Sequence, residues 1–210
     1  MAARALKQER AERTRAALIR AAAKVFAESG FAGASVSRIA EQAGLTLGAM
    51  YFHFRSKEEL AREIVSTQPD LVVTPQRSEG LQHAVDITLT WAYRLRDDPV
   101  LRAGARLVMD QEQFVTDKRE NSHQQWVVIM RQDLREAQTR REVRAAVDTD
   151  AYARLVVNAC TGAQMHAQLE TSRSDLPARV EEIWQCLIPA IAYPAAAKKV
   201  QFGKERGTVS

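Results

Sequence analysis

The sequence predicts an all-α protein with a small N-terminal domain and a larger C-terminal domain. Apolar side chains recur at helical spacing along most of the chain, as they do on one face of a helix. Glycine and proline stand where these periodic segments stop. No segment has a convincing strand pattern, and no internal repeat is visible. A chain of 210 residues is long enough for two domains with a packed core.

The beginning of the chain predicts three helices. The first helix has an apolar stripe made of Leu18, Ala21, Ala22, Val25 and Phe26. Gly30 ends this helix, and Ser35 caps the next one because its hydroxyl can accept an unpaired N–H of the first turn. Gly44 can end the second helix in the left-handed conformation, and Thr46 caps a third, short helix. Two short helices joined by a tight glycine-containing turn form a helix-turn-helix, whose second helix enters the major groove of DNA.

The positive charge of the chain is concentrated in this segment. Residues 1–57 hold ten Lys or Arg and four Glu, a net charge of +6, whereas the whole chain carries +4. The remaining residues therefore carry a net charge of −2. The alternative interpretation is that this arginine-rich N-terminus is only a solvated tail. Its position beside a helix-turn-helix favours contact with DNA phosphates.

The rest of the chain predicts further helices separated by polar or proline-containing segments. A connecting helix begins near Ser56 and ends near Thr67. The loop over 68–78 contains two prolines and marks the practical domain boundary. The later helices are expected at 81–95, from Asp98-Pro99 onwards, around 126–137, at 149–171 and from 174 to about 191. A polar connection is expected over 116–122, and segment 195–210 is expected to be a disordered tail.

Several functional classes lack support in the sequence. None of the four histidines lies at metal-ligand spacing from a cysteine or carboxylate cluster, so no metal and no other cofactor is expected. Nucleophile-elbow, P-loop and dinucleotide-binding motifs are absent, so no catalytic residue and no enzyme activity is expected. The chain has neither a spanning run of about 18 apolar residues nor a signal-peptide core, so no membrane partner is expected. Cys160 and Cys186 are expected to be reduced thiols in a bacterial cytoplasm.

The helix-turn-helix segment resembles the DNA-binding domain of the tetracycline-repressor (TetR) family. The resemblance extends from Arg10 to about Leu60. It is carried by Tyr51-Phe52-His53-Phe54 and the following Ser56-Lys57-Glu58-Glu59-Leu60. The resemblance implies a helix-turn-helix DNA-binding domain over residues 1–55.

A narrower resemblance concerns the C-terminal part of the chain. Residues 101–111, Trp126 and residues 187–192 resemble the corresponding parts of the γ-butyrolactone autoregulator receptors of actinomycetes. Those receptors are TetR-like repressors whose C-terminal domain binds a small diffusible signal. The resemblance therefore implies a helical ligand-binding and dimerisation domain over residues 56–194.

The helix-turn-helix geometry and the resemblance together select the residues expected at DNA. The N-terminal part of the second helix faces base edges, and its flanks face phosphates. A glycine in that helix lets its backbone approach the DNA closely. The resemblance assigns sugar-phosphate contacts to Ser37, Tyr51, His53 and Lys57. The complete set of expected DNA contacts is Ser37, Arg38, Thr46, Leu47, Gly48, Tyr51, His53 and Lys57.

Two of these positions depart from the family pattern. Leu47 stands where the receptors usually carry a lysine that reaches guanine, and leucine can instead touch a thymine methyl group. Arg38 stands where an acidic residue is common, and it can add a phosphate contact. The alternative is that the aromatic residues of the second helix pack in the core of the small domain instead of contacting DNA. Phe52 and Phe54 fit that core better than the tyrosine and histidine beside them.

The C-terminal domain is expected to hold the regulatory site. The resemblance implies that Trp126 lines the ligand cavity and that the hydroxyl of Thr161 forms a hydrogen bond with the ligand. The alternative is that Trp126 is an ordinary core residue. Gln68 can provide a polar contact between this site and the DNA-binding domain. The complete set of expected ligand contacts is Gln68, Thr88, Trp91, Trp126, Met130, Val157 and Thr161.

A homodimer is expected because one helix-turn-helix covers one half-site. A dimer reads a palindrome whose half-sites lie about 34–36 Å apart. The last helix is apolar on more than one side, so it is expected to pack on the second subunit together with the long helix over 149–171. The residues expected at this interface are Val180, Ile183, Trp184 and Leu187.

The resemblance implies a repressor that binds palindromic double-stranded operator DNA and is released by a small diffusible signal. Control of secondary metabolism, including antibiotic biosynthesis, is the implied output. The signal is left open between a γ-butyrolactone, a butenolide, a furan and an antibiotic-like compound. The sequence pI of about 9.3 favours a signal other than a γ-butyrolactone, because true γ-butyrolactone receptors tend to be acidic. The alternative is a TetR-like DNA-binding regulator without a small-molecule ligand.

Overall fold

The computed structural model describes residues 2–115 and 121–208, and within these ranges it is an all-α protein without strands. Its helices are α1 (Ala2–Gly33), α2 (Val36–Gln42), α3 (Leu47–His53), α4 (Lys57–Ser66), α5 (Gly80–Leu95), α6 (Pro99–Leu107), α7 (Ser122–Thr139), α8 (Thr149–Thr171), α9 (Leu176–Ile191), α10 (Pro194–Ala197) and α11 (Lys204–Gly207). An isolated bridge joins Val143 and Ala192. The predicted fold class is confirmed. The polar connection predicted over 116–122 lies mostly outside the described residues.

The helix ends follow the local chemistry of the sequence. Ser35, Thr46 and Ser56 each accept a backbone N–H in the first turn of the helix that they precede. Asp98 does the same for α6, in front of a proline in the first turn. Gly44 adopts a φ of +66° after α2, a conformation that glycine reaches without strain. The roles of Ser35, Gly44, Thr46 and Asp98 were predicted from the sequence, whereas Ser56 was predicted only as the approximate start of a helix.

The chain forms two compact units, and the first consists of Met1–Gln68 together with Asp98–Ser122. The core of this unit includes Phe26 and Phe31 from α1, Ile64 from α4, and Leu107 and Phe114 from the later segment. The first unit therefore extends beyond the helix-turn-helix domain predicted over 1–55. The local pattern predicted α4 and α6 as helices but could not indicate which core they would join, because that core is assembled from distant parts of the chain.

The second unit consists of Pro69–Asp97 and His123–Ser210, and α5 lies at its centre. Helix α5 is buried on nearly all sides, and α9 and α11 pack against it. Helix α8 packs against α9. Trp184 of α9 is fully buried, and its indole N–H donates to the hydroxyl of Thr88 at 2.8 Å.

The C-terminal segment differs from its prediction. The sequence predicted a disordered tail over 195–210, whereas the described residues of this segment, up to 208, include α11, which packs against α5. Arg206 is buried and forms an ion pair with the buried carboxylate of Asp86, with Nε 2.9 Å from Oδ1. Gly207 lies so close to the ring of Tyr93 that a side chain there would overlap it. The tail prediction was wrong because the partner of Arg206 is 120 positions away in the sequence.

Candidate nucleic-acid interface and candidate ligand site

The turn between α2 and α3 fixes the orientation of the second helix. The backbone N–H of Leu45 donates to the carbonyl of Ala40, and that of Gly44 donates to Glu41. Ile39 of α2 and Met50 of α3 are fully buried in the core of the first unit. The opposite side of α3 therefore faces away from this core, as a recognition helix requires.

The outer face of α3 carries large side chains. Tyr51 is 51% exposed, Phe52 is 80% exposed, and Leu47 is also exposed. Gly48 is exposed, and His53 is half-buried with its ring edge-on to that of Phe52, at 5.2 Å between centroids. These residues together form a surface that can contact both bases and sugar-phosphate groups.

One aromatic residue of this segment was assigned to the wrong side. Phe52 and Phe54 were both predicted to fit the core, but only Phe54 lies there, with 1% exposure. Phe52 follows Met50 by two positions, and two residues turn a helix by about 200°. Because Met50 points into the core, Phe52 points outwards, and it joins the candidate DNA contacts that the sequence analysis missed.

The remaining candidates on α2 and before α3 are all exposed. Ser37 and Arg38 lie on the outer side of α2, and Arg38 forms an ion pair with Glu28 at 2.6 Å. This acidic neighbour offsets part of the positive charge that Arg38 could offer to a phosphate. Thr46 is exposed, but its hydroxyl already accepts the N–H of Ala49 at 3.1 Å.

Lys57 has a structural role that was not predicted from the sequence. Its ammonium group donates to the carbonyl oxygens of Phe31 at 2.8 Å and Ala34 at 3.1 Å. The same group lies 4.2 Å from the centre of the Phe31 ring. Lys57 therefore satisfies the carbonyls at the end of α1 and positions the helix-turn-helix. Its contact with a DNA phosphate stays a prediction, since an ammonium group has three donors.

Asp110 is a second positioning residue, and it was not predicted from the sequence. Its carboxylate accepts the backbone N–H of Phe31 at 3.0 Å, directly after a break in α1 at Gly30. Gly30 has φ 67° and ψ −175°, a combination that is essentially restricted to glycine. No local signal could have identified Asp110, because its partner lies 79 positions earlier in the chain.

Gln68 is engaged within the first unit. Its side-chain amide donates to the carbonyls of Ile64 at 2.9 Å and Val100 at 3.1 Å. The amide lies against Gly104, where a Cβ atom would overlap it. The amide nitrogen of Gln68 is therefore engaged within this unit, and its role as a ligand contact stays a prediction.

The other candidate ligand contacts all belong to the second unit. Thr88 is buried, accepts from Trp184 and donates to the carbonyl of Val85 at 2.8 Å, so its hydroxyl is already engaged. Met130 is buried in the core, and Thr161 is half-buried with its hydroxyl donating to the carbonyl of Val157 at 2.8 Å. The half-buried members of the set are Trp91, Trp126, Val157 and Thr161.

The expected dimer contacts on α9 need correction. Val180 and Trp184 are fully buried within the subunit, so they cannot contact a partner. Ile183 and Leu187 are half-buried. The apolar residues on several sides of α9 were expected to be covered by the second subunit. It is instead explained largely by α5 and α8, which cover the helix within the same chain.

Helix α8 carries several exposed apolar residues. Leu155 and Met165 are exposed, and Leu169 is 82% exposed. A Cβ atom added at Gly162 would meet no other atom of the described residues within 4 Å. Leu155, Gly162 and Leu169 are spaced by seven residues and therefore share one helix face.

The described part of the chain forms neither a metal-binding cluster nor a membrane-spanning helix. No group of three or more His, Cys, Asp or Glu side chains there could hold a metal ion. No helix in the same ranges is long and apolar enough to cross a membrane.

Comparison with known proteins gives the family. Residues 18–64 match the model for bacterial regulatory proteins of the tetR family, and residues 78–193 match the tetracyclin repressor-like C-terminal domain. The A-factor receptor protein of Streptomyces griseus is 33% identical over 93% of this chain and 70% of its own length.

Two solved structures extend the similarity to the fold. TylP, a TetR regulator from Streptomyces fradiae, has a TM-score of 0.81 and 35% identity over 96% of this chain and 89% of its own. CprB from Streptomyces coelicolor, solved in complex with its biological operator sequence, has a TM-score of 0.71 and 31% identity over 90% and 94% of the two chains. This chain therefore belongs to the TetR family of DNA-binding transcriptional regulators.

Proposed function

We propose that this TetR-family regulator is a homodimeric repressor that binds a palindromic operator and leaves it when a small diffusible signal binds the C-terminal domain. The observation that carries the DNA-binding half is the outer face of α3, where Tyr51 and Phe52 are exposed while Met50 of the same helix is buried. The similarity to CprB, which was solved with its operator, supports DNA binding. The similarity to the A-factor receptor protein of Streptomyces griseus supports a signal ligand. Control of secondary metabolism is part of the same proposal.

The side chains on α3 divide into two kinds of DNA contact. Tyr51 and His53 have polar groups that suit the sugar-phosphate backbone. Leu47 and Phe52 have no hydrogen-bonding group, so they suit the methyl groups of thymine in the major groove. We therefore expect A·T base pairs at the positions of each half-site that these two residues contact.

The operator can be identified by selecting random duplex DNA on the purified protein. Tyr51→Ala should weaken binding to every selected sequence by roughly ten- to a hundredfold, because a contact to a charged phosphate is lost. Leu47→Lys should change the preferred base at one position per half-site. Tyr193→Ala, which removes an exposed tyrosine of the second unit, is the matched control. Unchanged operator affinity of Tyr51→Ala at physiological salt would show that α3 is not the recognition helix.

The dimer is proposed to form through the exposed face of α8 rather than through the buried residues of α9. Leu155 and Leu169 share that face, and Gly162 between them lets a partner helix approach closely. A second copy of the chain is the expected occupant, since a palindrome has two-fold symmetry and an isologous contact presents the same face from both subunits.

Sedimentation velocity tests this interface. Leu169→Glu should convert the dimer to monomer, because a charge buried at the centre of an apolar contact is unfavourable. Val73→Glu changes another strongly exposed apolar residue, 71% exposed and outside α8, and should leave the dimer intact. A Leu169→Glu variant that sediments as the wild-type dimer would refute the α8 interface.

The ligand site is proposed among the half-buried residues of the second unit. Trp126 provides an apolar wall, and Trp91 and Val157 are further wall residues. Thr161 provides a hydroxyl that donates to the carbonyl of Val157 and can at the same time accept a hydrogen bond from the ligand. Trp126→Ala and Thr161→Val should leave operator affinity nearly unchanged but raise the amount of signal needed for release. A mobility-shift titration with producer-culture extract measures this, and release at the wild-type amount would locate the site elsewhere.

A further inference from the structure

The segment 200–208, which we call the strap, lies along one face of α5. The residues that share this face are spaced by four, three and four positions, and they are Gln82, Asp86, Leu89 and Tyr93. The side-chain amide of Gln82 accepts the backbone N–H of Gln201 at 2.8 Å and donates to the carbonyl of the same residue at 3.0 Å. At the other end of the face, Gly207 lies against the ring of Tyr93. The strap therefore covers about three turns of the central helix of the second unit.

The carboxylate of Asp86 is the centre of this attachment. It accepts the hydroxyl of Ser78 at 2.6 Å and the amide of Gln82 at 2.8 Å. From the strap, Nε of Arg206 donates to Oδ1 at 2.9 Å, and Nη2 donates to Oδ2. Two parallel N–H groups on two carboxylate oxygens form the fork geometry that a guanidinium provides and an ammonium does not. The site therefore recognises arginine by shape as well as by charge.

The third guanidinium nitrogen connects the strap to the loop that precedes α5. Nη1 of Arg206 donates to the side-chain oxygen of Gln76, and the amide of Gln76 donates to the carbonyl of Glu205 at 3.1 Å. Gln76 therefore contacts both a side chain and the backbone of the strap. Through these bonds and the bond from Ser78 to Asp86, the docked strap fixes the loop at the start of α5.

Polar contacts dominate the attachment of the strap. Besides the bonds already described, the N–H of Gly203 donates to the carboxylate of Glu181 on α9 at 3.2 Å. Phe202 is only half-buried, and Lys204 is exposed. Elements that bury little apolar surface open at a lower free energy than the core of the same domain. The strap therefore differs from α5, which is buried on nearly all sides.

We propose that the strap is a releasable peptide ligand of the second unit and that Arg206 is its anchor. Asp86, Gln82 and Gln76 form an arginine-recognition site, which the chain fills with its own C-terminal segment. Docking covers the carboxylate of Asp86 and orders the loop before α5, and release exposes both. This device is separate from operator binding and from the proposed signal site.

The alternative is that the strap is an inseparable part of the core. Removal of Arg206 would then leave a buried carboxylate without its cation and destabilise the whole second unit. A releasable strap opens instead and lets water reach Asp86, while the helices beneath it stay folded. The two cases differ in which backbone amides become exposed to solvent.

The first test measures amide hydrogen exchange of the full chain by mass spectrometry. The strap amides that donate hydrogen bonds include those of Gln201, Gly203, Arg206 and Thr208. In Arg206→Met the amides of the strap should exchange at least about tenfold faster, because the anchor is lost. The amides of α8 should keep their wild-type rates. Lys199→Met, which removes an exposed cation shortly before the strap, is the matched control and should change neither rate.

Two results would overturn the proposal. Unchanged exchange of the strap in Arg206→Met would show that the guanidinium does not hold it. Equally accelerated exchange of α8, or a variant that does not fold, would show that the strap opens only together with the rest of the unit.

The second test asks whether the site selects a guanidinium. Arg206→Ala lacks the part of the side chain that ethylguanidinium supplies. A ligand that binds the docked form with a Kd of about 1 mM should slow strap exchange in this variant about tenfold when present at about 10 mM. Ethylammonium at the same concentration and ionic strength cannot form the fork and should slow it less than about twofold. Equal slowing by the two cations, or no slowing by either, would refute an arginine-recognition site.

Discussion

Asp110→Ala tests how the end of α1 is held in the first unit. The carboxylate of Asp110 accepts the N–H of Phe31 at 3.0 Å, and a Cβ atom at Gly30 would lie 3.1 Å from the same oxygen. Alanine at position 110 removes the acceptor and leaves the partly buried N–H of Phe31 unpaired. The turn that joins α1 to α2 then loses its hydrogen bond to Asp110 but keeps its hydrogen bonds to Lys57.

The size of the effect follows from the charge of the acceptor. A hydrogen bond to a charged group contributes about 1.5–3 kcal/mol to the free energy of unfolding. For a chain of this size, each kcal/mol shifts the Tm by roughly 2–4 °C, so Asp110→Ala should lower the Tm by about 3–12 °C. Asp110→Asn keeps an oxygen acceptor without its charge, and its Tm should lie between those of the wild type and the alanine variant.

Thermal unfolding followed by circular dichroism measures the shift, and a mobility-shift assay well below the Tm measures operator affinity. Operator affinity should fall together with the Tm, because the turn between α1 and α2 positions both α2 and α3. Glu112→Ala is the control, since Glu112 is an exposed acidic residue close to Asp110 in the sequence. If Asp110→Ala unfolds at the wild-type Tm, the contact with Phe31 does not hold the turn, and the reasoning fails.

The remaining predictions concern other named groups. Lys57→Met should lower both the Tm and operator affinity but leave the slope of log affinity against log salt unchanged, because the ammonium is engaged by Phe31 and Ala34; a slope reduced by about one would instead indicate a phosphate contact. Contact with Asp133 raises the pKa of His83 against the opposing effect of burial, so the stabilisation is fully present below the unfolded pKa of about 6.5 and is lost as pH rises through the folded value. The Tm difference between wild type and Asp133→Asn should therefore be larger at pH 6 than at pH 9, and a difference independent of pH would contradict this. Burial raises the pKa of the Cys160 thiol to about 12, so thiol reagents at pH 8 should not label it in the native protein. Labelling that persists in Cys186→Ser without denaturant would show that Cys160 is accessible.

Local sequence chemistry determined the elements and the nature of the DNA-binding site. Ser35, Thr46 and Ser56 cap helices because a hydroxyl next to unpaired N–H groups acts within three residues of itself. The boundaries of α8 were predicted as Thr149 and Thr171, and the structure has the same bounds. Such features depend on neighbours along the chain, so the sequence alone is sufficient to predict them.

Tertiary packing decided which of several similar side chains faces outwards. Phe52 and Phe54 are the same residue type two positions apart, yet one is 80% exposed and the other 1% exposed. Trp184 had the pattern of a dimer contact, but Thr88 accepts its indole N–H within the subunit. In each case the deciding neighbour or core is assembled from parts of the chain that are distant in sequence.

The same reason explains the partners of two charged residues that local sequence could not predict. Lys57 was predicted only as a phosphate contact, and in the structure its ammonium group also donates to the carbonyls of Phe31 and Ala34. Arg206 lies in a segment whose composition is typical of a solvated tail, but its buried ion pair with Asp86 orders that segment. The charge of a side chain is read directly from the sequence, whereas its partner depends on which distant atoms the fold brings within about 3 Å.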